Sequence, residues 1–248
     1  MDKLIGRNPV LEALRADRGF DRLLVQRGAE GSVQKIVDSA RKRGIAIRFE
    51  AKAALDREAG GGAHQGVVAF VSDYRYASPD DMFARARAQG EPPLLVALAG
   101  IEDPRNLGAI IRTAEAVGAH GVVIPHRRAV SVNETVAKTS AGAAEHMAVA
   151  RVSNLSQALR RLKDAGLWIA ALDPDGENCF ERDMTGPLAL TVGGEGGGPG
   201  RLVRETCDFA VSVPMYGRTA SLNASSAAAV ALYEIRRQRG QRSAGGIF

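Results

Sequence analysis

From Pro93 onward the chain alternates short apolar runs with segments of helical character, and this alternation constrains the fold more than any other feature. The runs are LLVALA (94–99), GVVIP (121–125), MAVARV (147–152), WIAAL (168–172), LALTVGG (188–194) and FAVSVP (209–214). Between them lie helical stretches: about Asn106 to Val117, ETVAKTSAGAA (134–144), a segment from Leu155 with Leu159 and Leu162 on one face, and SLNASSAAAVALYEIRRQR (221–239). Strands without polar alternation are buried on both faces. Strands that take turns with helices pair in parallel, with the helices covering the sheet. The expectation is an α/β domain over 93–240.

The first 72 residues form a smaller α/β module of their own. Asn8-Pro9 marks a helix start, RLLV (22–25) a strand, and SVQKIVDSARKRG (32–44) a helix closed by Gly44. IAIRF (45–49), AKAALDRE (51–58) and QGVVAFV (65–71) follow as strand, helix and strand. Residues 73–92 are polar, carry a helix signal at Ser78-Pro79, and read as a linker. Residues 241–248 read as a disordered tail.

Composition excludes several classes. Apolar residues make up 45% of 248, enough for a real core. No run approaches the roughly 20 apolar residues of a membrane span, and the N-terminus lacks a signal-peptide stretch. Cys179 and Cys207 stand in no ligand spacing and read as free thiols of a reducing compartment, so a cytoplasmic protein is expected. His64, His120, His126 and His146 form no ligand cluster, so no metal is expected. The net charge of +5 is uneven. Residues 1–72 carry +4 and the last 13 residues another +4, while 92–235 carries −2. Basic ends on a near-neutral body suit a phosphate backbone.

Three segments at strand ends carry candidate chemistry, and strand ends are where parallel sheets hold ligands. IEDPRNLGAIIRTAEAVG (101–118) leads from a strand into a helix near Asn106. Gly108 permits close approach, and Arg112 lies six residues after Asn106. LTVGGEGGGPGRL (190–202) packs five glycines into six residues around Glu195. It contains neither the G-x-G-x-x-G spacing of a dinucleotide site nor a phosphate-binding G-x-x-x-x-G-K-[ST], so a nicotinamide dehydrogenase is rejected. VPMYGRTASLNASSAAAVALYE (213–234) places Ser221 and Asn223 at the head of a helix of small residues. Taken singly, each has an ordinary structural reading: a helix cap for Asn106, Ser221 or Asn223, a surface pair for Arg112, a mobile loop for the glycines.

As an ordered set the three segments resemble the SpoU (TrmH-type) RNA 2′-O-methyltransferases of the SPOUT class. The resemblance rests on Asn106, Gly108 and Arg112, then Gly194-Glu195-Gly196, then Val213–Gly217 with Ser221–Asn223, and covers most of 93–238. LIGRNPVLEALRA (4–16) and HQGVVA (64–69) resemble the L30e-like substrate module of the RlmB-like subgroup, which acts on guanosine of large-subunit (23S) rRNA. The sequence departs from the family pattern at Ala224, where valine is usual, and at Pro199, where a bulky apolar residue is usual.

The resemblance implies a SPOUT domain with a C-terminal trefoil knot, S-adenosylmethionine as cofactor, RNA rather than DNA as partner, no membrane, and a homodimer. It implies catalytic roles for Asn106, Arg112, Glu195, Ser221 and Asn223. It places the cofactor against Leu172, Asp173, Val192, Gly193, Gly194, Glu195, Gly196, Val213, Pro214, Met215, Gly217, Ser221, Leu222 and Asn223, mostly through backbone groups. RNA falls to Arg7, Asn8, His64, Gln65, Arg105 and Arg112. The expected reaction is attack of a ribose 2′-oxygen on the sulfonium methyl. A guanidinium keeps its proton in proteins, so Arg112 is expected to grip the adjacent phosphate and polarise the hydroxyl rather than act as a free base. The alternatives are methylation of tRNA or of another rRNA site, and, in another class, an RNA-binding ribosome assembly factor without catalysis.

Overall fold

The computed structural model describes residues 2–15, 19–72, 74–127, 129–194 and 198–244, and the chain divides into two compact units, Met1–Arg75 and Tyr76–Phe248. In the first, the order is β1 (Asp2–Ile5), α1 (Arg7–Arg15), β2 (Gly19–Gln26), α2 (Ser32–Lys42), β3 (Ile47–Glu50), α3 (Lys52–Ala59) and β4 (Val67–Ser72). The sheet order is β1-β4-β2-β3, with β2 and β3 parallel and β4 antiparallel to both its neighbours. Period-two alternation sorts the side chains between two faces. Val67, Ala69 and Val71 of β4 pack with Val10 of α1 and Ile36 of α2, while Val68 and Phe70 pack with Leu55 and Ala59 of α3. The β1 strand was not expected, because DKLI is too short to show a period.

The second unit runs α4 (Pro79–Gln89), β5 (Leu94–Ala99), α5 (Pro104–Ala116), β6 (Gly121–Pro125), α6 (Glu134–Thr139), α7 (Ala143–His146), β7 (Val149–Val152), α8 (Leu155–Asp164), β8 (Trp168–Asn178), β9 (Leu188–Gly193), α9 (Arg201–Arg204), β10 (Phe209–Ser212) and α10 (Ala224–Ala244). Its sheet is parallel throughout, in the order β10-β8-β9-β5-β6-β7. Every residue of β5 and β9 is buried, as expected for central strands covered on both sides.

Three expectations change. The segment read as a linker holds α4, closed by a capping box in which Ser78 and Asp81 satisfy each other's backbone N–H groups. Met82 anchors it, fully buried in one cluster with Leu95, Val123 and Ala148, so α4 is an integral part of the second unit. The helix expected over 134–144 breaks into α6 and α7, because the backbone turns left-handed at Ala141 and Gly142. Finally, α10 continues to Ala244, four residues into the stretch read as a disordered tail; 245–248 lie outside the described residues.

One side chain fastens the end of α10. Arg239 is buried, and its terminal nitrogens donate to the carbonyls of Pro92 (2.7 Å), Pro93 (3.2 Å) and Gly186 (2.7 Å). Burial lowers its pKa to about 10, which leaves it charged at neutral pH. Replacing Arg239 by Met strips three partly buried carbonyls of their donor. We expect a loss of about 3 kcal/mol, taking one to three for each group left unmade and allowing for water entry, read as a lower urea midpoint at unchanged slope.

A second buried polar group gives a pH dependence. His120 accepts the backbone N–H of Leu94 at Nδ1 (2.9 Å), and burial holds its pKa below the ordinary imidazole value. The unfolded chain, with a histidine near ~6.5, therefore takes up more protons than the folded one once the pH falls below that value. Stability should drop as pH falls through about 6.5, and His120→Asn, which keeps an acceptor and cannot titrate, should flatten that part of the profile. Thermal melts at pH 7.5 and 5.5 decide it; equal slopes for both proteins would remove His120 as the cause.

Candidate active site

The three motifs follow β5, β9 and β10. With β8 these are four consecutive positions in a parallel sheet, so the segments leave it at one end. The chain is drawn together there by contacts that side chains would forbid. A β-carbon on Gly193 would overlap the backbone of Gly198 and Pro199, and one on Gly194 would stand 2.5 Å from the carbonyl oxygen of Gly100. Gly194 also donates to the carbonyl of Ala99 (2.9 Å) and bridges to Gly198, so the glycine loop returns upon its own root beside the β5–α5 turn. Residues 195–197 between these points lie outside the described residues, and with them the expected Glu195 and Gly196.

A cavity of about 790 Å³ opens at this end. Of the expected cofactor residues, Leu172, Asp173, Val192, Gly193, Gly194, Val213, Pro214, Met215, Ser221 and Leu222 line it. Gly217 and Asn223 do not: Asn223 turns back to cap α10, its Oδ1 accepting from Ser225 N–H (2.9 Å) and Ser225 hydroxyl (2.6 Å). The β8 strand makes one wall. It pairs with β9 through Leu172, and the register against β10 jumps from Ala171 to Glu177, so 173–175 are looped out into the cavity rim. Asp173 sits at that departure, buried, accepting the Asp175 N–H (3.0 Å) and paired with Arg204 (3.1 Å). Asp175, Gly198, Arg204 and Ala220 also line the cavity and were missed. Arg204 was hidden in RLVRE, which reads as an ordinary surface helix; the acid pair Asp173 and Asp175 after a strand was the available signal.

The expected catalytic residues of the first motif lie on α5. Asp103, not Asn106, caps that helix by accepting the Arg105 N–H (2.9 Å). Asn106 is half-buried. Arg112 is exposed, and its side chain forms no hydrogen bond or ion pair among the described residues. Gly108 lets α5 press on α6: a β-carbon there would be 2.7 Å from Thr139 Cβ. Exposed Arg105 stands one turn before Ala109 on the same helix.

In the first unit the expected RNA residues gather at one end of the sheet. Arg7 donates its backbone N–H to Gln65 Oε1 (3.2 Å) and its guanidinium to Ser32 Oγ (2.6 Å). Asn8 and Gln65 are exposed. His64 is corrected. It is 6% exposed, accepts Gly66 N–H at Nδ1 (3.0 Å) and meets Asp56 at Nε2 (3.0 Å), so both ring nitrogens shape the loop and neither is free for a ligand.

Among the described residues no group of His, Cys, Asp and Glu could hold a metal, and no helix is long and apolar enough to cross a membrane. Both cysteines are unbridged, and burial pushes the Cys207 thiol up to about 11, leaving it protonated and unreactive at neutral pH.

Comparison with known proteins agrees with this fold. Residues 93–233 match the model of the SpoU rRNA Methylase family, and residues 3–77 that of the RNA 2′-O ribose methyltransferase substrate binding domain. A Bacillus subtilis protein described as a TrmH family tRNA/rRNA methyltransferase, YacO, is 47% identical, with 96% of each chain covered. A Mycolicibacterium smegmatis tRNA/rRNA methyltransferase is 52% identical over 95% of this chain and 76% of its own. Among solved structures, the SpoU methyltransferase AviRb from Streptomyces viridochromogenes in complex with AdoMet aligns with a TM-score of 0.61 at 28% identity, covering 96% of this chain and 90% of its own. The A. aeolicus TrmH/SpoU tRNA modifying enzyme aligns with a TM-score of 0.56 at 30% identity, over 66% and 85%.

The crossing at Gly193 gives a direct test of the cavity. Gly193→Ala forces Gly198 away and opens the loop, so binding of S-adenosylhomocysteine should fall at least tenfold in isothermal titration; unchanged affinity would show that this crossing does not shape the cofactor site.

Proposed function

The chain belongs to the SpoU rRNA methylase family, as an S-adenosylmethionine-dependent RNA methyltransferase, and we propose that it methylates the ribose 2′-hydroxyl of a guanosine in large-subunit ribosomal RNA. The observation that carries this reading is the pairing of two matches in one chain: a SpoU methylase domain and, ahead of it, a domain of the type that binds substrate for RNA 2′-O ribose methyltransferases. The +4 excess in residues 1–72 supports an RNA partner for the first unit.

The cofactor fits the cavity on the chain's own terms. Gly193, Gly194 and Gly198 leave backbone where a β-carbon would fill the space, and the wall carries both apolar surface (Leu172, Val192, Val213) and the charged pair Asp173–Arg204. When bound, S-adenosylmethionine supplies an electrophilic methyl group. Arg112 holds the phosphate next to the target ribose and polarises the 2′-hydroxyl through its forked N–H donors. Asn106, six residues earlier on α5, steadies the ribose side. Ser221 contributes from the loop before α10. Asn223, as the cap of α10, fixes where that loop ends. A catalytic role for Glu195 is part of the same proposal. Loss of the hydroxyl proton comes late, since none of these groups is a strong base.

We assign the protein a homodimeric state. In its support, 215–223 are exposed without interruption and present the large apolar side chains of Met215, Tyr216 (91% exposed) and Leu222, which a second copy would cover. The trefoil knot belongs with the same reading; the packing of α10 on α5, β8 and β9 supports it.

Methyl transfer from labelled cofactor to total rRNA and tRNA from cells lacking the gene tests the proposal. Label as 2′-O-methylguanosine in large-subunit rRNA is the expected result. Label in tRNA would replace the substrate, and label in neither would favour a non-catalytic assembly factor. Arg112→Lys keeps the charge and loses the fork, and kcat should fall about 100-fold; a near-normal rate would sink the role given to the guanidinium.

A further inference from the structure

Arg204 is the one positively charged side chain among the described residues that line the cavity. It ends α9, directly after the glycine loop, and its position is set from below. One terminal nitrogen lies 3.1 Å from Asp173 Oδ2 and 4.0 Å from Asp175 Oδ2. Asp173 is fully used. It is 5% exposed, its Oδ1 accepts the Asp175 N–H, and its Oδ2 stands 3.1 Å from the place where a β-carbon on Gly198 would sit.

Arg204 is not fully used. Its side chain is half exposed, and its Nε and second terminal nitrogen make no bond among the described residues. A buried carboxylate therefore holds a guanidinium whose free edge stands in the cavity wall. Asp175, with a side chain 83% exposed, stands beside it on the same rim.

S-adenosylmethionine joins an adenosine to an amino-acid end that bears one carboxylate and one ammonium. A guanidinium edge recognises a carboxylate through parallel N–H donors, and a neighbouring carboxylate recognises an ammonium. We propose that Arg204 and Asp175 form the subsite for the amino-acid end of the cofactor, with Asp173 as the positioning residue that holds Arg204 in place. This rests on the cavity being the cofactor site.

The test compares two ligands on the full-length protein by isothermal titration: S-adenosylhomocysteine, and 5′-methylthioadenosine, which keeps the nucleoside and the thioether but lacks the amino-acid end. Arg204→Met should weaken S-adenosylhomocysteine roughly 10- to 100-fold, the range for one lost charge-assisted hydrogen-bond pair, and leave methylthioadenosine within about twofold. Arg204→Lys should recover part of the loss, and Asp175→Asn, a change on an exposed side chain, should weaken only S-adenosylhomocysteine. If Arg204→Met weakens both ligands alike, Arg204 merely braces the loop and the subsite is wrong; if it weakens neither, the carboxylate is bound elsewhere. Wild-type protein that binds neither ligand would instead overturn the assignment of the cavity to the cofactor.

Discussion

The second unit depends on one steric fact: the backbone at Gly193 meets the backbone at Gly198 with no room for a side chain between them. That contact turns the end of a buried strand into a loop that folds back on itself, and Gly194 presses the same loop onto Gly100 after the neighbouring strand. Everything at this edge of the sheet is placed relative to that crossing. The looped-out part of β8 forms the facing wall, Asp173 reaches the returning arm at Gly198, and the segment from Val213 to Leu222 closes the far side. A polar ligand can be held there by backbone groups because the glycines have removed what would otherwise cover them.

Strand order does the rest. Since β9 lies between β5 and β8, segments separated by about ninety residues of sequence become neighbours at one end of the sheet. Motifs that carry little information singly acquire meaning from this adjacency.

Much of this could be read from the chain, and the reasons are local. The six strands of the second unit announced themselves as mostly apolar runs, most clearly β5 and β9, because a strand buried on both faces has no polar alternation to hide it. The glycine cluster and the Ser-Leu-Asn segment stood out because their composition has no use in a core. What escaped the sequence reading depends on partners distant along the chain. Arg204 looks like any surface helix residue until β8 brings Asp173 to it, and α4 looks like a linker until Met82 is seen buried among Leu95, Val123 and Ala148. His64 misled in the opposite direction. It stands in a conspicuous His-Gln-Gly turn, and both its nitrogens are spent on the turn itself. The same limit applied to the helix cap: Asn106 reads as a cap from sequence, and only the hydrogen bond from the Arg105 N–H shows that Asp103 fills that place.

The anchoring of Arg239 bears on how such a chain is made. The first unit closes its sheet within residues 2–72, so it holds all its strands as soon as that stretch has left the ribosome. The second unit is different. The carbonyls of Pro92 and Pro93 wait for a guanidinium that is synthesised 147 and 146 residues later. During the interval, at elongation rates of about 5–20 residues per second, the root of the central strand spends roughly 7 to 30 seconds without its final donor. The nascent second unit is thus left in a window in which water, a chaperone or the ribosome surface must stand in for the end of its own last helix.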